Sequence, residues 1–135
     1  MLRNKYTVTL LGMMLCAFFG CVAFASEQSS WIEGERVRVQ TLDKITARIG
    51  TIEANIDDAI SFGTLEIKVR YCAFRPPEIP PEHAAFVEIV ERAAGDNQPL
   101  VPDKPIFAGW MFASSPAISG LEHPVYDLTL LNCSK

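Results

Sequence analysis

The chain is poor in the residues that do chemistry. It has two histidines, His83 and His123, and four cysteines. No Cys-x-x-Cys pair is present, so the spacing that lowers a thiol pKa in redox proteins is missing. No Gly-x-Ser-x-Gly turn is present, so the nucleophile elbow of the α/β-hydrolases is absent. Lysine and arginine occur singly and never as a patch, which argues against nucleic acid or an anionic lipid surface as partner. Apolar residues never hold a helical stripe, and no internal repeat or low-complexity tract appears. What remains is a fold built from strands.

The first 25 residues read as an export signal. Arg3 and Lys5 open it, and residues 8–24 are almost wholly apolar. Ala23-Phe24-Ala25 then supplies the small-x-small pattern cut by a signal peptidase, which places the cleavage before Ser26. The competing reading keeps residues 8–24 as an inner-membrane anchor. A lipid on Cys21 fits poorly, because Phe18 stands where a small aliphatic residue is expected. Cleavage leaves 110 residues and moves the formal charge from −4 to −6, since two basic residues leave and no acidic ones do. That length suits one domain with its own core. Residues 26–34 are expected to form a flexible leader and 35–135 a single β domain, with Trp31-Ile32 at its threshold.

Cys72 and Cys133 survive the cut, an even pair in an exported chain. A disulfide between them is the expectation. It would close a loop of about 60 residues and contribute about 4 kcal/mol in the ideal entropy model.

The strands follow from period-two alternation. "ERVRVQTL" puts Val37 and Val39 on one face and Arg36 and Arg38 on the other. "ITARIGTIEANI" reads as a second strand, bulged at Gly50. "SFGTLEIKVRYC" reads as one strand with Leu65, Ile67, Val69 and Tyr71 inward. Strict alternation then turns Cys72 outward, so the disulfide needs a bulge, a strand end or a route along the domain edge. The four prolines of "RPPEIPPEH" forbid a sheet interior and favour an extended polyproline stretch. "AAFVEIVE" is a further strand, and "RAAGDNQPLVPDKP" a long hairpin tip. "IFAGWMFA" is apolar on both faces, as a central strand would be. "VYDLTLLNC" delivers Cys133. The sum is all-β: one small antiparallel β-sandwich or open barrel of about six to seven strands.

Two irregular segments hold most of the polar and aromatic residues. In "FASSPAISGLEHPVYD", Ser115 and His123 with a carboxylate would make a hydrolase-type site. Local backbone bonding by Ser114 and Ser115 is the plainer reading. His83 follows Glu82 and His123 follows Glu122, so two histidines and two carboxylates would hold a metal if the loops met. Neighbouring residues on extended chain point apart, which weakens that case, and no cofactor is expected. Recognition is the third reading. Arg75, Glu82, His83, Trp110, Ser114, Ser115, Glu122 and His123 are its candidate surface.

The segments "LDKIT", "FGTLEIKVRYC", "RPPEIPPEHAAF" and "GWMFASSPAISGLEHPVYDLTLLNC" resemble the uncharacterised family called domain of unknown function 2155, found in exported alphaproteobacterial proteins. The resemblance runs from about Val37 to Cys133. It implies a periplasmic envelope protein and carries no activity. Members usually have glycine after the "LDKIT" turn, where this chain has Ala47, which argues against a tight turn there. Together these readings predict a non-catalytic accessory, binding or scaffold domain of the periplasm that engages an envelope protein.

Overall fold

A computed structural model describes residues 30–93 and 104–135. The expected signal and most of the expected hairpin tip lie outside the described residues. The described residues form eight strands: β1 (Ile32–Glu33), β2 (Arg36–Asp43), β3 (Arg48–Asn55), β4 (Ala59–Phe62), β5 (Leu65–Phe74), β6 (His83–Glu91), β7 (Phe107–Phe112) and β8 (Tyr126–Ser134). No helix occurs among the described residues. One sheet runs β1-β5-β6-β7, with β4 also paired to β5; the other runs β3-β2-β8. Every strand pairing is antiparallel. The expected sandwich is therefore the fold, with two open sheets and no closed barrel.

The count exceeds the expected six to seven because "SFGTLEIKVRYC" is a hairpin and because Ile32–Glu33 pairs with the end of β5 as a short strand of its own. Phe62 pairs with Leu65 across a two-residue turn, Gly63-Thr64. Gly63 has φ of 58°, as the first central position of a II′-type turn demands. A Cβ at Gly63 would also fall 2.2 Å from the Tyr126 hydroxyl, so space and backbone both require glycine.

The core lies between the sheets. Val37 and Val39 of β2 and Leu128 and Leu130 of β8 face Leu65, Ile67 and Val69 of β5 and Val87 and Ile89 of β6. Each such side chain contributes about 1.5–3 kcal/mol by leaving water. A charge at Val87, which is fully buried, would break this layer.

Two bulges bring the cysteines into that core. Val69 opposes Val87 while Tyr71 opposes Phe86, so Arg70 is the extra residue on β5. The phase inverts there: Cys72 turns inward, and Tyr71, expected inside, is 36% exposed. On β8, Asn132 opposes Arg38 while Leu130 opposes Val39, so Leu131 is the extra residue. Each bulge lies two residues before its cysteine. Cys72 and Cys133 are both buried and form the disulfide, Cα–Cα 5.8 Å, that joins one sheet to the other.

Four local expectations need correction. β3 pairs with β2 through Gly50 with no register shift, so Gly50 is no bulge. The tight turn at 44–47 does form. The Asp43 carboxylate accepts the Ile45 and Thr46 amides at 2.9 and 3.1 Å, and Ala47 takes φ of 54°. The proline segment turns rather than extends. Ile79 donates to the Pro76 carbonyl, and Arg75 donates to the Glu82 carbonyl at 3.0 Å. β5 and β6 are antiparallel neighbours, so the six residues between Arg75 and Glu82 must reverse the chain. β7, expected at a sheet centre, is an edge strand.

Candidate functional site

The Arg70 bulge creates a surface as well as a core position. Beyond it, Tyr71 and Ala73 turn to the outer face of their sheet. The register aligns Tyr71 with Phe86 and Phe86 with Trp110; one step along, Ala73 aligns with Ala84 and Ala84 with Phe112. The first row is a chain of edge-to-face rings, with Tyr71–Trp110 centroids 5.8 Å apart and Phe86–Trp110 5.6 Å apart. The second row has two alanines at its centre, so the surface dips there. Trp31 lies beside the dip from the start of the domain. The result is an aromatic slot of about 310 Å³ lined by Trp31, Tyr71, Ala73, Ala84, Trp110 and Phe112. Its lining is almost wholly apolar, and Trp110 is 44% exposed.

Arg75 sits at the rim. Its guanidinium carbon lies 5.0 Å from the Trp31 ring centroid, a cation–π contact. Its Nε is buried without a hydrogen-bond partner. A buried donor left unmet is costly.

Behind the rim, Glu82 locks two connections together. Its carboxylate accepts the Ser114 amide at 3.1 Å, the His83 amide at 3.0 Å and the Ser114 hydroxyl. Ala113 donates to the His83 carbonyl at 3.0 Å. Burial acts to raise the Glu82 carboxyl, but the Ser114 hydroxyl, the two amides and the Arg75 charge together hold it below its usual range. Ser115 reaches the Ser114 hydroxyl at 3.4 Å. A carboxylate held that low is a weak general base. Among the described residues, no hydrogen bond joins either serine to either histidine.

The histidines go elsewhere. His83 Nδ1 accepts the Cys133 amide at 3.0 Å, and its ring stacks on Phe74. His123 Nδ1 accepts the Val125 and Tyr126 amides, each at 3.1 Å, so Nε2 carries the proton toward Glu91 Oε1 at 3.2 Å. The His123 ring stacks on Tyr126. The two rings thus hold opposite ends of β8, about 23 Å apart at strand rise, too far for one ion to bridge. Glu122 is exposed. Among the described residues, no group of three or more histidine, cysteine or acidic side chains is placed to hold a metal.

Of the expected surface residues, Arg75, Glu82, Trp110, Ser114 and Ser115 gather at one end of the β5-β6-β7 sheet. His83 is turned toward β8, and Glu122 and His123 lie at the other end of that strand. Trp31, Tyr71, Ala73, Ala84 and Phe112 were not among the expected residues. One signal pointed to Tyr71: a disulfide at Cys72 made through a bulge requires the residue before it to face out.

The family described as "Uncharacterized protein conserved in bacteria (DUF2155)" matches residues 37–133. The chain belongs to that family. A relative, "Uncharacterized protein RP359" of Rickettsia prowazekii (strain Madrid E), is 26% identical over 110 residues. The match covers 82% of this chain and 66% of the relative, so the chain spans just under two thirds of that protein's length. No solved structure matches. Of the two slot tryptophans, Trp110 lies inside the matched residues and Trp31 before them.

Proposed function

We propose that this member of the family is an exported, non-catalytic binding domain of the bacterial envelope, and that its aromatic slot takes an apolar side chain of a partner protein. The observation that carries the reading is the slot itself. Trp31, Tyr71, Trp110 and Phe112 stand around an alanine floor on an outer sheet face, although a small domain gains more by burying its rings. Trp, Tyr and Arg at a desolvating concavity are the residue types that dominate binding energy at protein interfaces. The Arg75 guanidinium, over the Trp31 ring, would donate to a carbonyl or carboxylate of the bound segment. Export is supported by the disulfide, which belongs to oxidising compartments. Among the described residues no helix is long and apolar enough to cross a membrane.

The test is in-cell crosslinking of the tagged protein, followed by mass spectrometry, for the native chain and for Tyr71→Ala and Trp110→Ala. These rings are exposed, so each change should cost about 1 kcal/mol of stability while lowering recovery of one envelope protein at least tenfold. Equal recovery from all three chains would remove the slot from the account. The captured product should begin at Ser26; a full-length chain held in the membrane would replace the cleaved signal with the anchor over residues 8–24.

A further inference from the structure

β7 reads Phe-Ala-Gly-Trp-Met-Phe. It contains no charged residue and no proline, the usual guards of an exposed strand edge. On one side it pairs with β6; among the described residues nothing pairs with the other side. The hydrogen-bonding phase is set at its end, where the Ala113 amide donates to the His83 carbonyl. Antiparallel pairs alternate, so Met111 and Gly109 bond to β6, while Ala108, Trp110 and Phe112 turn their N–H and C=O groups to the other side, where the Phe112 carbonyl accepts the Ser115 amide at 3.3 Å. Ala108 and Trp110 are exposed, so these groups meet solvent rather than chain.

We propose that β7 pairs with β7 of a second copy about a two-fold axis through Trp110. This register places Trp110 opposite Trp110 and Ala108 of each copy opposite Phe112 of the other. All three outward residues then fall in paired positions, giving four backbone bonds between unengaged groups, since Ser115 already occupies the Phe112 carbonyl of each copy. Sliding by one pair in either direction leaves an outward residue of each strand without its mate. Side chains agree with the backbone: the largest ring at each end of the contact meets the smallest side chain, and the two indoles at the axis are placed to stack with an offset. The row Tyr71, Phe86, Trp110 would continue through the axis into the other copy. The self-complementary pattern is what selects a second copy over a foreign strand, since an isologous contact requires each residue to meet its own mirror position. The contact is short, so its dissociation constant should be on the order of micromolar. The contact shares Trp110 and Phe112 with the slot, but its test uses Ala108, which lies outside the slot lining, so the two readings fail separately.

The experiment is sedimentation of the purified mature chain over a concentration range from about 1 µM to about 1 mM, chosen to span that affinity. The native protein should shift from one chain mass to two. Ala108→Pro removes an outward N–H that β6 does not use, and a strand edge tolerates proline there. Ala108→Lys adds the missing edge guard. Both should weaken self-association more than tenfold without changing the far-ultraviolet spectrum, and the lysine variant stands alone if the proline variant misfolds. A native chain that stays monomeric across the range overturns the proposal. So does a dimer that persists unchanged in Ala108→Lys.

Discussion

Ala47 sits at φ of 54°, in the left-handed region that costs a residue with a Cβ about 1 kcal/mol or more. The turn tolerates it because Asp43 holds two amides with its carboxylate. The same bonds, led by that from the Thr46 amide, keep the Asp43 carboxyl below its usual range. Ala47→Gly relieves the strain, and the gain is offset in part by a more flexible unfolded chain. The expected outcome is a rise of about 0.5–1 kcal/mol in denaturant stability; a loss would show that Ala47 makes a contact worth more than its strain. The sequence alone suggested the opposite inference, that a turn without glycine is loose. It failed because an aspartate four residues earlier replaces what glycine would have supplied. His83 and His123 were legible as residues but not as roles: a ring nitrogen that accepts a backbone amide looks no different in sequence from one that binds metal.

At the scale of elements, alternation revealed every long strand. It failed at β5, where one extra residue, Arg70, reverses all that follows. Arg70 donates to Glu88 at 2.7 Å and to Asp57 at 3.0 Å, and these bonds hold the bulged residue's side chain on the surface. Bulges of this kind leave no composition signal, so Tyr71 and the slot could be inferred only through Cys72. The sequence left open whether the two polar connections meet, and Glu82 with Ser114 is the bond that joins them. That bond is pH-sensitive. The folded Glu82 carboxyl lies below its unfolded value, so its contribution is present above the ordinary carboxylate range and is lost as the pH falls through and below that range. Glu82→Gln should therefore melt with a shallower loss on acidification than the native chain. Identical pH profiles would mean that Glu82 and Ser114 are not bonded in solution.

The whole molecule is two open sheets sharing one core and one covalent tie. Cys72 and Cys133 are 61 residues apart, which makes the tie effective against a long unfolded loop. Cys133→Ser should cost about 2–4 kcal/mol in denaturant unfolding, and reductant should destabilise the native chain but not the variant. Equal stability of variant and native chain would mean that the two thiols are free. The all-β class, the disulfide and the family could be read from the chain, because alternation, cysteine parity and long sequence segments carry them. The slot could not, because it is made by register: two alanines and four rings from β5, β6, β7 and the chain before β1 converge only when the strands are aligned. Both tryptophans of the chain line that slot. The most direct measurement places a photo-crosslinking amino acid at position 110, and separately at the exposed Ile49 of the other sheet, in cells. The account predicts a discrete adduct from position 110 to a protein other than this chain, beside the two-copy adduct that pairing about Trp110 would give, and none from position 49. No such adduct at 110, or the same adducts from both positions, would contradict it.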